Sequence, residues 1–402
     1  MPVKRESVRS DRRRPCCLSI MMWRSENIDG GCKVKILFCG TYMPPTLIAR
    51  FRYASEAANN FCGKLLEELR HGNEVQVLSF YGFPKEDHWS NAVEEEISAQ
   101  GIDFVARTGS ISRITGFFRY QWKVFRLMRN MDYVLLYNYY WIYYGILFLA
   151  RLLGVRTALI VADHSGVESH ASPLRRFLVR WTERDYGRFD RLVFLSRHLY
   201  ETFPHRNKLF FPGAVRMADY AGFRYEVKEK CRFLYAGLLN EVTGVDLYLK
   251  AIRLLDMPEA EFHFTGRGPL EEAVREAARR DARIVYHGFV SREEYYALLA
   301  GADIVVNPRN MGLPENKNNF PSKIMEYLAS GRIVVSTRFA GWEDFAQHIF
   351  FVETSAAGLR QGLLKACTAR REGAQYFEQN RAFVSQYDWS RQVERLIAFL
   401  RS

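Results

Sequence analysis

A short stretch in the C-terminal third of the chain combines residue types that suit a phosphorylated ligand. Residues 319–331 read NFPSKIMEYLASG, and an apolar run follows at 333–335. Ser322 is a favourable N-cap, and Gly331 is a favourable end for a short helix. The N–H groups and the dipole of a helix N-terminus attract phosphate, and Lys323 adds a positive charge there. The stretch therefore predicts a phosphate site at the start of this helix.

A carboxylate lies one helical turn further along. Glu326 can accept hydrogen bonds from both hydroxyls of a ribose, because a carboxylate offers two acceptor oxygens. A phosphate site and a ribose site this close together suit a nucleotide. The alternative interpretation is an ordinary helix cap followed by a surface glutamate.

Alternating strand and helix patterns must position this stretch. The N-terminal half opens with a strand at 34–39, a helix at 54–70 and a second strand at 74–79. In the second half we predict strands near 232–236, 261–265, 283–287, 303–307 and 333–336. This alternation predicts two consecutive doubly wound parallel sheets, whose ligands bind beyond the C-terminal ends of the strands.

Four further segments, together with this stretch, resemble the group 1 family of retaining GT-B glycosyltransferases. The segments are 233–237 (FLYAG), 262–269 (FHFTGRGP), 285–290 (VYHGFV) and 302–309 (ADIVVNPR). The resemblance covers about residues 230–350. It implies an α/β protein of the GT-B fold, in which two Rossmann-like doubly wound parallel-sheet domains face an interdomain cleft.

The resemblance and the strand pattern together divide the chain into four parts. Residues 33–212 would form an N-terminal, acceptor-side domain, and residues 213–385 a C-terminal domain that binds the nucleotide-sugar. We expect residues 386–402 to form a helix that crosses back to the first domain. Residues 1–32 are rich in arginine, and we expect a disordered basic arm there.

The resemblance implies a metal-independent hexosyltransferase that needs no cofactor. The enzyme would move a sugar, with retention, from a nucleotide-sugar donor to a glycan or lipid-linked acceptor in bacterial surface polysaccharide synthesis. Two alternatives stay open. One is a GT-B nucleotide-sugar epimerase, and the other is a non-catalytic homologue that acts as a membrane-associated partner.

The site residues of the family can be carried over position by position. The resemblance implies catalytic roles for His164, Lys323 and Glu326. His164 follows a strand predicted at 157–162, and a purely structural histidine is the alternative. The donor-binding residues that the resemblance implies are Gly237, Gly266, Arg267, Phe289, Val290, Asn318, Pro321, Ser322, Lys323 and Glu326.

The chain departs from the family pattern at two places. Asn318 stands eight residues before Glu326, where the family has a first glutamate. Leu238 and Thr243 stand near the positions of the family's phosphate-binding Arg and Lys. The candidates to supply the missing positive charge are Lys323, Arg267 and Arg309.

Composition limits the partners and the compartment. A length of 402 residues suits two domains, and the net charge of +12 favours an anionic partner. The basic residues are spread along the chain without a nucleic-acid recognition module, so we expect no nucleic-acid partner. The seven cysteines contain no C-x-x-C pair, which predicts neither a disulfide framework nor a structural zinc site and favours a reducing cytoplasm.

Residues 113–131 carry the pattern of an amphipathic helix. The predicted apolar face consists of Ile114, Phe117, Phe118, Trp122, Phe125 and Met128, and the opposite face of Arg119, Lys123 and Arg126. Two interpretations remain, which are packing on the sheet and peripheral contact with an anionic membrane. The second would place a cytoplasmic protein on the inner face of the cell membrane.

Overall fold

The structure, a computed structural model, describes residues 33–44, 47, 56–83, 91–108, 112–162, 173–313, 316 and 321–402. The expected basic arm at 1–32 and the candidates His164 and Asn318 lie outside these residues. The described residues form two parallel sheets covered by helices, which confirms the predicted α/β class.

The N-terminal half forms a sheet of seven described strands, all parallel. They are β1 (Lys35–Gly40), β2 (Glu74–Phe83), β3 (Ile102–Thr108), β4 (Tyr133–Tyr137), β5 (Arg156–Val161), β6 (Arg191–Phe194) and β7 (Lys208–Phe210). Their order across the sheet is β3–β2–β1–β4–β5–β6–β7. Every residue of the central strand β4 is buried, because helices cover both faces of the sheet, and this explains its continuously apolar sequence YVLLY.

Helices pack on both faces of this first sheet. Those described are α1 (Glu56–Arg70), α2 (Asn91–Ser98), α3 (Ser112–Met128), α4 (Ile146–Leu153), α5 (Pro173–Tyr186) and α6 (Arg197–Thr202). On one face, Leu65 and Leu69 of α1 join the core with Phe38 of β1. On the other face, α3 and α4 contribute buried side chains to a second core cluster.

The C-terminal half forms a second parallel sheet. Its described strands are β8 (Cys231–Ala236), β9 (Ala260–Thr265), β10 (Ile284–Tyr286), β11 (Ile304–Asn307), β12 (Ile333–Thr337) and β13 (Ile349–Val352). Their order is β10–β9–β8–β11–β12–β13. The chain leaves β8 towards β9 on one side and returns to β11 on the other. The crevice above β8 and β11 is therefore the topological switch point, where open α/β sheets bind their ligands.

The last helix of the chain returns to the first sheet. The helices of this half are α7 (Val245–Arg253), α8 (Glu271–Arg280), α9 (Arg292–Gly301), α10 (Lys323–Ala329), α11 (Ala356–Ala369), α12 (Gly373–Val384) and α13 (Trp389–Arg401). Trp389, Val393, Leu396 and Leu400 of α13 lie in the same core cluster as α1. Tyr133 of β4 donates a hydrogen bond to the carbonyl of Leu400. The C-terminal helix therefore belongs to the core of the N-terminal half.

The sheet covers only part of the predicted apolar face of α3. Ile114, Phe118 and Trp122 are 70%, 66% and 66% exposed. The side chains of this helix that are fully buried are Tyr120, Val124 and Met128. The apolar arc of the helix is wider than the strip that the sheet can cover. The sheet covers the part of the arc that carries Tyr120, Val124 and Met128 and leaves the neighbouring part exposed. The helix ends at Met128, not at the predicted 131.

The described residues contain no helix that is both long enough and apolar enough to cross a membrane.

Candidate active site

Two glycine-containing loops meet at the C-terminal edge of the second sheet. The N–H of Gly237, just after β8, donates to the carbonyl of Thr265 at 3.0 Å. The N–H of Gly266, just after β9, donates to the carbonyl of Gly288 at 2.8 Å. Gly266 has a φ of +136°, and a Cβ there would lie 1.8 Å from the carbonyl oxygen of Gly237. Only glycine allows this approach of the two backbones.

The loop after β11 is tied to the loop after β8. The side chain of Asn316 donates to the carbonyl of Val242 at 2.7 Å, and the N–H of Asn310 donates to the same oxygen at 3.2 Å. Gly244 has a φ of +76°, and a Cβ there would lie 1.9 Å from the carbonyl oxygen of Pro308. These contacts bring the loops on either side of the switch point into one unit.

Helix α10 places Glu326 and Lys323 beside α9. The hydroxyl of Tyr295 donates to Glu326 Oε2 at 3.0 Å, and Lys323 Nζ lies 5.0 Å from the centre of the Tyr295 ring. Burial lowers the pKa of Lys323, and the neighbouring charge of Glu326 opposes that shift. Tyr327 fixes the helix over the end of β8, since its hydroxyl donates to the carbonyl of Ala236 at 3.3 Å.

Ser322 occupies the predicted N-cap position of α10, but its side chain does not cap the helix. Its backbone is already helical, with φ −52° and ψ −28°, and its side chain makes no capping hydrogen bond. Pro321 is buried, whereas Ser322 is exposed. The N–H groups of Ile324 and Met325 donate to the carbonyls of Pro321 and Ser322, at 2.9 and 3.2 Å. These two donors at the start of α10 are therefore already used within the turn.

The first domain reaches Glu326 through α1. Lys64 Nζ lies 4.0 Å from Asp219 Oδ2, and Arg292 of α9 contacts the same carboxylate oxygen at 2.8 Å. Burial lowers the pKa of Lys64, and Glu326 is the strongest opposing charge. Glu326 therefore lies at the junction of the two domains. Lys64 and Tyr295 are not recognisable as site residues in the sequence, because both lie in ordinary amphipathic helices that carry no motif.

The loop after β10 presents an open aromatic surface. Phe289 is 63% exposed, and the guanidinium carbon of Arg267 lies 4.6 Å from the centre of its ring. Arg267 is itself exposed, and Val290 is half-buried. This geometry offers a flat apolar face next to the glycine loops.

The predicted donor-binding residues that the structure describes therefore lie along one edge of the second sheet. Gly237 and Gly266 form the loop contact, Phe289 and Val290 follow β10, and residues 321–326 form the approach to α10 and its first turn. Within the described ranges, no group of three or more His, Cys, Asp or Glu side chains could hold a metal ion.

The chain was compared with protein families, curated proteins and solved structures. Residues 230–368 match the family model "Glycosyl transferases group 1". No curated protein matches the chain.

Solved structures resemble the chain over nearly its whole length. A glycosyltransferase from Rickettsia africae ESF-5 has a TM-score of 0.69 at 11% identity, covering 92% of this chain and 98% of that chain. A trehalose-6-phosphate structure from E. coli bound with UDP-2-fluoro glucose has a TM-score of 0.64 at 12% identity, with coverage of 92% and 99%. The lipopolysaccharide outer core galactosyltransferase WaaB has a TM-score of 0.62 at 12% identity, with coverage of 91% and 99%.

Identities this low show likeness of fold, and the family match adds sequence evidence for the second half of the chain. The chain thus has the GT-B fold, and residues 230–368 match the group 1 glycosyl transferases.

Proposed function

We propose that the protein is a metal-independent hexosyltransferase. It takes a sugar from a nucleotide-sugar, with retention, and gives it to a glycan or lipid-linked acceptor in bacterial surface polysaccharide synthesis, in the cytoplasm. The observation that carries this proposal is the position of Glu326. Its carboxylate is half-buried at the junction of the domains, beside the ligand-binding edge of a group 1 glycosyl transferase domain.

The donor fits the edge of the second sheet in three parts. The base stacks near Phe289 and Val290, and the ribose hydroxyls donate to Glu326, whose carboxylate is oriented by Tyr295. The diphosphate lies over the crevice between β8 and β11. Gly237 and Gly266 allow its close approach because they carry no side chain. A fold neighbour bound with UDP-2-fluoro glucose supports a nucleotide-sugar donor.

The reaction exchanges one bond at the anomeric carbon of the sugar. The bond from this carbon to the diphosphate oxygen breaks, and its electron pair stays on the nucleoside diphosphate. An acceptor hydroxyl oxygen forms the new bond on the same face and loses its proton to the departing diphosphate. We propose that His164 faces the donor sugar and that Lys323 assists catalysis through its positive charge beside Glu326.

A donor-turnover assay tests this function. The purified protein is incubated with a panel of nucleotide-sugars plus EDTA, and nucleoside diphosphate release and the sugar products are measured. We expect at least one donor to release its diphosphate, slowly to water and faster when extracted bacterial lipid-linked glycans are added. Failure of every donor to bind or react would contradict the function. An epimerised nucleotide-sugar would favour the alternative activity.

We also propose that the outer face of α3 and α4 contacts an anionic membrane. Helix α4 is the next helix on the same face of the first sheet. The exposed aromatic and aliphatic side chains of this surface are Ile114, Phe118, Trp122, Trp141, Tyr144, Phe148 and Leu152. Neither helix contains an acidic residue, and their cations are Arg113, Arg119, Lys123, Arg126 and Arg151. Two of these cations have a carboxylate nearby, since Arg119 lies 4.0 Å from Glu94 and Lys123 lies 3.9 Å from Asp103. Apolar and aromatic side chains beside several cations suit an anionic lipid surface.

Vesicle flotation tests the membrane contact. We expect the protein to float with vesicles that contain anionic phospholipid, and the double variant W122S/F148S to bind at least tenfold less. Each lost large side chain removes about 1.5–3 kcal/mol of apolar transfer energy. Leu254→Ser, at an exposed leucine of the second domain, is the matched control and should bind like the wild type. Equal binding by the double variant would contradict the proposal.

A further inference from the structure

Arg309 lies directly after β11, at the switch point of the second sheet. Its backbone is held in place, since Thr337 Oγ1 donates to its carbonyl at 2.8 Å. Its side chain is held as well, because Nη1 donates to Asn316 Oδ1 at 2.8 Å. Asn316 in turn binds the loop after β8 through Val242. The guanidinium is therefore positioned by both loops that border the crevice.

The neighbours of the guanidinium locate it over the end of β8. Burial lowers the pKa of Arg309, and the groups that oppose this shift are Tyr235 and Tyr327. The hydroxyl of Tyr235 donates to the carbonyl of Leu238 at 2.6 Å. The hydroxyl of Tyr327 donates to the carbonyl of Ala236 at 3.3 Å. Through Asn316 and Val242, Arg309 is thus joined to the loop that carries Leu238, one of the two positions where the family has a phosphate-binding cation.

This cation has no acidic neighbour in the described part of the chain. No Asp or Glu there forms an ion pair with Arg309, and its polar partner is the neutral amide of Asn316. Burying a cation without a counter-charge costs free energy. A neutral side chain at position 309 could pack there equally well. An arriving anion would offset the cost and bind the planar guanidinium through two oxygens.

The other two candidate cations point elsewhere. Lys323 lies against the ring of Tyr295 and beside Glu326, on the α9 side of α10. Arg267 is exposed and stacks on Phe289. Of the three candidates, Arg309 is the one that lies among the end of β8, the end of β11 and α10.

We propose that Arg309 is the residue that binds the diphosphate of the donor in this chain, in place of the pair that is missing at Leu238 and Thr243. The inference rests on the proposed function. Its guanidinium binds oxygens of the diphosphate in the ground state. It also stabilises the negative charge that the diphosphate gains when the bond to the sugar breaks.

Calorimetry on two variants tests this role. The wild-type protein is titrated with UDP, GDP, ADP and dTDP, and the nucleotide that binds is compared with its nucleoside, which has no phosphates. We expect Arg309→Gln to bind that diphosphate at least tenfold more weakly than the wild type does. Its affinity for the nucleoside should equal that of the wild type. Arg309→Lys keeps the positive charge but loses the planar guanidinium that can bind two oxygens at once. Its affinity for the diphosphate should lie between those of the wild type and Arg309→Gln.

A second arginine at the same sheet edge serves as the matched control. Arg338 follows β12, is exposed and pairs with Glu353 at 2.6 Å, so Arg338→Gln should bind the diphosphate normally. Circular dichroism checks whether each variant is folded. If Arg309→Gln does not fold, Arg309→Lys must still lose affinity for the diphosphate while it keeps its affinity for the nucleoside. Wild-type affinity in a folded Arg309 variant would overturn this assignment alone. A wild-type protein that binds no nucleoside diphosphate would overturn the proposed function as well.

Discussion

Replacing Glu326 by alanine should weaken nucleoside diphosphate binding about 100-fold and abolish donor turnover. The proposed role of Glu326 is to accept hydrogen bonds from two ribose hydroxyls, and each bond to a charged group contributes roughly 1.5–3 kcal/mol. Loss of about 3 kcal/mol corresponds to a factor of about 100 in the dissociation constant. Isothermal titration with the nucleoside diphosphate that binds the wild type measures the effect.

Two comparisons make this result specific to the ribose site. Glu326→Gln keeps one acceptor oxygen and should lose less affinity than the alanine variant. Glu293 lies on the neighbouring helix α9, is exposed, and should tolerate alanine with unchanged binding. Because the ribose is also present in the nucleoside, Glu326→Ala should weaken nucleoside binding too, unlike the Arg309 variants. Full affinity in Glu326→Ala would show that the ribose binds elsewhere.

The second large effect concerns stability. Trp389→Ala should lower the free energy of unfolding by about 3–5 kcal/mol, the usual cost of removing a large aromatic side chain from a core. Trp389 is 2% exposed, and its ring centre lies 5.2 Å from that of Phe61 and 6.0 Å from that of Phe211. Urea unfolding, followed by circular dichroism, measures the change.

The same experiment tests whether α13 is part of the first domain's core. Trp389→Phe retains an aromatic ring and should lose clearly less stability than the alanine variant. Exposed Trp181 is the matched control, and Trp181→Ala should stay close to the wild type. A core cavity of this size costs more than about 1 kcal/mol. If the free energy of unfolding of Trp389→Ala is within about 1 kcal/mol of the wild-type value, the C-terminal helix therefore does not stabilise the first domain.

The strands of the second sheet could be predicted closely, because each is a short apolar run bounded by turn residues. The predicted segments near 232–236, 261–265 and 333–336 correspond to β8, β9 and β12. The apolar run at 349–352 forms the edge strand β13, for which no strand was predicted. Edge strands are harder to recognise, since their pattern depends on what covers them.

Periodicity could not fix which side of a helix faces the sheet. In α3 the aromatic side chains Phe118 and Trp122 and the buried side chains Tyr120 and Val124 lie on neighbouring arcs of one broad apolar surface. The sheet covers only one arc, and this choice depends on the position of the helix over β2 and β3. The remaining arc forms the proposed membrane surface.

The candidate site was only partly visible in the sequence for a similar reason. Glu326 and Lys323 lie in a recognisable segment, and both lie near the domain junction. The partners Tyr295 and Lys64 come from other helices and carry no local signal. Arg309 could be named only as one of three cations, and its lack of an acidic neighbour within the described residues becomes visible only in three dimensions.

A crystal structure with the bound nucleoside diphosphate tests the central claim most directly. We expect phosphate oxygens within hydrogen-bond distance of the Arg309 guanidinium, over the crevice between β8 and β11. We also expect the ribose hydroxyls to contact the carboxylate of Glu326. A nucleotide bound away from this edge of the second sheet, without contact to either side chain, would contradict the proposed donor site.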